Sequence, residues 1–313
     1  MTDTPVVNVS ISTPQIPSVS GSNLTYTFTR SGDLNSALTI NFDVTGTATH
    51  ADYTSSVDVT STPAKLWTNL LTSVSDVYAY AAGTAPDGSV YVTGGTLGNM
   101  DNQNLNGNSD AFLTKFTSNG VKAWTKLLGS SNPDMALAQS IGSDGSVYIG
   151  GYSTGNIDNQ TNDGNSDGFL TKYLPDGTKL WTHLVGTESG HYSDVRSIAT
   201  DADGSIYVSG ITNDDLDNYS NKGSWDGFVT KFSTEGSKLW TRLIGTSAQD
   251  CAYSMAASKD GSIYVCGYIN GQFNTTANRQ DGEAFLARYL PDGTQVWLNS
   301  LSTTSSALAY AVT

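Results

Sequence analysis

Asp144-Gly145-Ser146-Val147-Tyr148-Ile149-Gly150-Gly151 recurs three more times, and this recurrence decides the fold. The copies are Asp87-Gly88-Ser89-Val90-Tyr91-Val92-Thr93-Gly94, Asp203-Gly204-Ser205-Ile206-Tyr207-Val208-Ser209-Gly210 and Asp260-Gly261-Ser262-Ile263-Tyr264-Val265-Cys266-Gly267. Their tyrosines stand 57, 59 and 57 residues apart. Each copy reads as a tight turn running into a strand, so the chain is a repeat array. Asp-Gly between alternating runs is a strong hairpin signal and predicts positive φ at both central residues of a two-residue turn.

Working outward through one repeat, the pattern predicts strands over 135–141, 146–152, 167–174 and 179–185. Asp144-Gly145 joins the first pair and Asp176-Gly177 the last. A long polar loop, 155–166, joins the middle pair. Tryptophans recur with the same period at Trp67, Trp124, Trp181, Trp240 and Trp297. Four strands in a meander, repeated about every 57 residues, describe the blade of a β-propeller. The first strand carries small residues on one face (Ala79, Ala81 and Gly83, or Ala136, Ala138 and Ser140), as crowding near a propeller axis requires. The predicted class is all-β: four complete blades, with strands of partial end blades at 65–71 and 306–313. The end strands cannot complete one blade, so an incomplete ring is expected, its remaining blades coming from a longer parent chain.

Residues 1–60 differ. Alternation predicts strands at 6–11, 24–30 and 37–44, a short β-sandwich-like fragment before the propeller at 61–313. Composition agrees with an all-β chain: 37% of the 313 residues are hydrophobic and 32 are glycine. Fifteen basic against 29 acidic residues give a formal charge of −14. Such a field repels phosphate backbones and anionic lipid, which excludes nucleic acid as a partner class. No apolar run reaches the roughly 18 residues of a membrane span. The N-terminus lacks the basic and apolar regions of a signal peptide, so any export signal is expected outside this chain.

An acidic residue, a small-residue strand, the Asp-Gly-Ser-x-Tyr strand and Asp167-Gly168-Phe169-Leu170-Thr171-Lys172-Tyr173 together resemble the SBBP family of bacterial β-propeller repeats, over about 65–313. The resemblance implies a repeat module of large bacterial surface or secreted proteins, often beside adhesion modules, and it transfers no catalytic residues. Phe42 in its strand, then Gly46-Thr47-Ala48-Thr49 and Asp52-Tyr53, resembles the Calx-β family, a calcium-linked β-sandwich, over about 5–56. That match covers roughly half of such a module, with Asp52 the acidic position carried over.

The meander places the long loops and the blade connections on one side. That side collects Asp76, Asp134, Asp194 and Asp250 near the first strands, and Glu283 at a third-strand start. The loops and the other third-strand starts supply Asp101, Asp110, Asp158, Asp163, Asp167, Asp217 and Asp226, oxygen ligands of the type calcium takes. Calcium is thus the candidate cofactor, although EF-hand spacing is absent and the same residue types form turns. The tryptophans resemble the docking tryptophans of quinone-dependent dehydrogenase propellers, where they pack blade on blade. Packing is the role expected here.

Cys251 and Cys266, placed opposite Asn270 and Met255 by a two-residue turn, are out of register for a disulfide. His183 reads as an exposed outer-strand residue and His191 as a surface one. No Gly-x-Ser-x-Gly elbow, Walker loop or His-Glu-x-x-His is present. The function expected is a non-catalytic binding, adhesion or scaffold module, secreted or at the cell surface, with a protein or glycan ligand. The alternative is a propeller enzyme, glycan-active or quinone-dependent, with its site on the acidic side. The loop containing Arg279 and Glu283 departs most from the repeat.

Overall fold

A computed structural model describes the backbone of 6–11 and 26–31, and residues 67–162, 164–186, 190–271, 282–301 and 306–313. The chain divides into two compact units, 1–64 and 65–313. In the first, β1 (Val6–Ile11) pairs antiparallel with β2 (Tyr26–Ser31). The third expected strand, 37–44, and the passage through Asp52 lie outside the described residues.

The second unit holds four antiparallel sheets, each a meander of consecutive strands. Blade 1 is β3 (Val77–Thr84), β4 (Val90–Thr96), β5 (Asp110–Phe116) and β6 (Lys122–Leu128). Blade 2 is β7 (Asp134–Ile141), β8 (Val147–Ser153), β9 (Asp167–Tyr173) and β10 (Lys179–Val185). Blade 3 is β11 (Ser193–Thr200), β12 (Ile206–Thr212), β13 (Asp226–Phe232) and β14 (Lys238–Ile244). Blade 4 is β15 (Asp250–Ala257), β16 (Ile263–Ile269), β17 (Glu283–Tyr289) and β18 (Gln295–Leu301). First strands of successive blades pack side by side, β3 on β7, β7 on β11 and β11 on β15. This is the crowding that their small residues answer, and the architecture is a β-propeller.

The Asp-Gly turns differ from expectation. Gly88 N–H donates to Ala85 O and Ala85 N–H to Ser89 O, and at this turn only Gly88 has positive φ (79°). This is a three-residue loop, a type I turn closed by a glycine bulge, rather than a two-residue turn. Pro86 therefore falls at the position that its fixed φ suits, and Asp87 accepts the Ser89 N–H at 2.8 Å. The extra loop residue shifts the register. Cys266 faces Ser254 and Cys251 faces Tyr268, and both thiols are buried and free.

Within each blade, residues of the second, third and fourth strands line up across one face. In blade 1 they are Tyr91, Lys115 and Trp124. The Lys115 ammonium sits 5.3 Å from the Tyr91 ring and donates to Pro175 O of blade 2 at 3.1 Å. Lys172 and Lys231 repeat the clamp onto Thr234 O and Pro291 O. The tryptophans dock on the next blade: Trp124, Trp181 and Trp240 cover Gly177, Gly236 and Gly293, the positive-φ glycines of the following second turns.

Neither end segment is a strand over its described residues. Both nevertheless occupy repeat positions. Trp67 stacks 5.8 Å from Phe116 and lies against Gly120, as Trp124 lies against Gly177. Ala307 N–H donates to Gly282 O, as Asp250 N–H donates to Trp225 O. Val312 N–H reaches Ser254 Oγ, as Met255 N–H reaches Ser197 Oγ.

Candidate functional site

The carboxylates singled out from sequence fall into two sets. Asp101, Asp158 and Asp217 sit at the tips of the long loops, each with positive φ and each followed by an asparagine of positive φ. Met100 and Gln103 exchange both backbone hydrogen bonds around Asp101-Asn102, so these are the two-residue turns that demand left-handed residues. Buried Met100, Ile157 and Leu216 anchor the tips. The Asp217 carboxylate accepts from Lys238 Nζ at 2.6 Å and from Thr241 Oγ1 at 2.5 Å. Asp101 binds Lys122 and Thr125 in the same way, and Asp158 binds Lys179 and Thr182. Burial alone would raise the Asp101 carboxyl, but the hydrogen bonds from Lys122 and Thr125 hold it below its ordinary value.

Asp110, Asp167 and Asp226 begin the third strands and are buried between blades. Asp110 Oδ2 accepts the Asn106 N–H at 3.0 Å, and Asp226 Oδ2 accepts that of Lys222 at 3.0 Å. Gly129, Gly186 and Gly245 lie so close that a Cβ on any of them would come within 2.1 Å of the facing carboxyl. The next blade sets another acid nearby: Asp134 by Asp110, and Asp250 by Asp226. Burial, with the Asp134 charge added, pushes the Asp110 carboxyl up to about 6 against the Asn106 N–H. At the repeat position of Asp134 and Asp250 the third blade carries Ser193; Asp194 stands one residue later and pairs with Arg196 at 3.2 Å.

These two sets do not converge. Asp163 lies outside the described residues. Among the described residues no group of three or more His, Cys, Asp or Glu is placed to hold a metal ion. The acidic side foreseen from sequence is largely consumed by loop anchoring and blade junctions.

A different row of residues stands out. Each first strand carries a β-bulge at one position, Tyr80, Leu137, Arg196 or Tyr253, left over between paired neighbours such as Ala79–Gly94 and Ala81–Thr93. Bulges re-aim side chains and cluster at sites. Here they set large, varied residues into strands that are otherwise small. The Arg196 guanidinium lies 5.7 Å over the Tyr253 ring, and Tyr253 stacks on Tyr310 at 5.3 Å. Tyr268 flanks Tyr253 at 5.9 Å. Burial, with Cys251 beside it, pushes the Tyr253 phenol up to about 12. Burial and then Asp194 raise the Tyr152 phenol, with Tyr80 also close enough to contribute. Arg196 Nε is shielded from solvent and makes no hydrogen bond. The row offers aromatic faces, one arginine and one carboxylate. These groups bind planar or apolar ligand faces and anions, and include no nucleophile–base pair.

Sequence reading missed this row, since a bulge shows only as a large residue between two small ones: Ala79-Tyr80-Ala81, Ala136-Leu137-Ala138. His183 also differs from expectation. It is half-buried at a blade junction, 4.8 Å from the Trp181 ring and stacked 6.4 Å from Phe232, and burial and then Lys238 lower its pKa. His191 is partly exposed, 3.5 Å from Asp214.

Residues 180–217 and 239–274 match the Beta-propeller repeat family SBBP. The chain is 26% identical over 227 residues to the Regulatory protein FlaEY of Caulobacter vibrioides, covering 66% of this chain and 22% of that protein. The chain thus spans about a fifth of that relative's length. Among solved structures, a protein of unknown function from Bacteroides caccae is similar at 11% identity and a TM-score of 0.31, over 72% of this chain and 82% of the other. The Neurospora crassa Pan2 WD40 domain is similar at 11% identity and a TM-score of 0.31, over 74% of this chain and 68% of the other. The repeat part of the chain is a β-propeller array in which residues 180–217 and 239–274 match the SBBP repeat.

Proposed function

We propose that this protein is a non-catalytic binding module of a bacterial surface or secreted protein, and that it holds its ligand on the bulge row of the first strands. The observation that carries the reading is the stacked set Arg196, Tyr253 and Tyr310, with Tyr268 at its flank. Here the repeats present large, mutually different side chains at one repeat position. A relative named a regulatory protein also supports a role without catalysis. The Asp carboxylates of the loops and junctions serve the scaffold in this proposal.

Further blades belong to the same reading. Leu301 is 69% exposed, whereas its repeat equivalents Leu128, Val185 and Ile244 are at most 4% exposed. This exposure supports the reading that blade 4 packs against a further blade.

The test is a glycan and peptide array probed with the full chain and with Arg196→Leu. We expect a ligand whose signal the substitution removes while the melting temperature stays within about 2 °C. A ligand bound equally by both proteins, or no ligand at all, would sink the proposal.

A further inference from the structure

Blade 3 breaks the repeat on its outer edge. In blade 1, Gln103 donates to Thr125 O and accepts the Leu127 N–H, covering the open edge of β6. The same position is Gln160 in blade 2 but Tyr219 in blade 3. Two residues after Trp240 in the blade 3 tryptophan strand, Arg242 stands where Lys126 and His183 stand in blades 1 and 2. The two changes meet: Arg242 Nη1 donates to Tyr219 Oη at 2.7 Å, and its guanidinium lies 5.5 Å from both the Tyr219 and Trp240 rings. Tyr219 thereby leaves the edge-covering role that Gln103 has, and Arg242 Nη1 covers the equivalent carbonyl, Thr241 O, instead.

The result is an open cleft of about 330 Å³ lined by Asp217, Tyr219, Lys238, Leu239, Trp240 and Arg242. Tyr219 and Leu239 are 40% and 54% exposed. The lining carries two cations, Lys238 paired with Asp217 and Arg242 with Asp292 near it, on a chain of net charge −14. Arg242 spends Nε on Gly293 O and Nη1 on Tyr219 and Thr241 O, which leaves Nη2 for a ligand.

We infer that this cleft is a second binding site, for an acidic sugar of the uronate class. The apolar face of a pyranose stacks on Tyr219 and Leu239, its hydroxyls meet Asp217 and Lys238, and its carboxylate meets Arg242 Nη2. An acidic peptide adding as a strand to β14 fits less well, because Arg242 already occupies Thr241 O on that edge.

The experiment is calorimetric titration of the full chain with trigalacturonate, neutral galactotriose and hexaglutamate. Trigalacturonate is expected to bind at least about tenfold more tightly than either control. Tyr219→Gln and Arg242→Lys install the residues that blade 1 carries. Each is expected to weaken binding about tenfold with the melting temperature unchanged within about 2 °C. Arg196→Leu is expected to leave this binding intact, which separates the cleft from the bulge row. No binding of trigalacturonate, equal binding of hexaglutamate, unaltered binding by both cleft variants, or loss in Arg196→Leu would each overturn the assignment.

Discussion

Trp240 donates its indole N–H to Pro291 O of the following blade at 3.0 Å, with its ring over Gly293, whose φ is +83°. The strand–turn–glycine pattern of one blade is thus completed by the tryptophan of the blade before it. Stability therefore resides at the junctions as much as within the sheets.

Gly293→Ala is expected to destabilise the protein by about 2–4 kcal/mol. The left-handed backbone accounts for about 1 kcal/mol, and the new methyl, 2.9 Å from Trp240 Cδ2, for the rest. Gly190 has φ +94° and open space around it, so Gly190→Ala should cost only about 1 kcal/mol. Urea denaturation of both variants measures the difference. Equal costs would show that the tryptophan does not pack tightly there.

Asp217→Asn should be mild and Asp217→Ala more harmful. The ion pair with Lys238 is partly exposed and contributes under about 1 kcal/mol, while asparagine tolerates the left-handed φ of 51° that alanine resists. The expected gap between the two variants is about 1 kcal/mol, read from melting curves.

Asp110 gives a pH dependence of definite sign. Its folded pKa is raised to about 6 from an ordinary 3.8, so the unfolded chain gives up this proton first. Its contribution is fully present below pH 4 and is lost as pH rises through about 6. Asp110→Asn should remove this component, gaining about 1–2 kcal/mol relative to wild type between pH 4 and 8. Unfolding free energies of the two proteins that stay parallel across that range would contradict the assignment.

Calcium at millimolar levels should raise the melting temperature no more than magnesium at equal ionic strength. The loop-tip carboxylates are already partnered by Lys122, Lys179 and Lys238. A calcium-specific rise that Asp158→Asn abolishes would restore the loops as metal ligands.

The repeat made the fold legible. Asp-Gly spacing and the alternating runs located the four strands of blade 2 with edges within a residue, and the period carries them to the other blades, because each blade repeats the same local chemistry. The end segments expected as strands are not strands over their described residues. Turn type and register were less legible: Lys259-Asp260-Gly261, like Pro86-Asp87-Gly88, closes a three-residue loop, and its extra residue moved Cys266 from Met255 to Ser254. The role of the acidic residues was not legible, for a physical reason. A carboxylate that anchors a loop through Lys179 and Thr182 has the same sequence signature as one that awaits a cation. The bulge row was hidden because Tyr80, Arg196 and Tyr253 gain their distinct placement from pairing geometry, which strict alternation does not encode.

The most direct measurement compares the affinity of an array-identified ligand for two double variants. Arg196→Leu/Tyr253→Leu removes the bulge-row stack, and Asp158→Asn/Lys179→Met removes a loop-tip ion pair. We expect the first to lose at least about tenfold in affinity and the second to bind as wild type does. The reverse order, with the loop variant losing affinity and the bulge variant keeping it, would contradict the account.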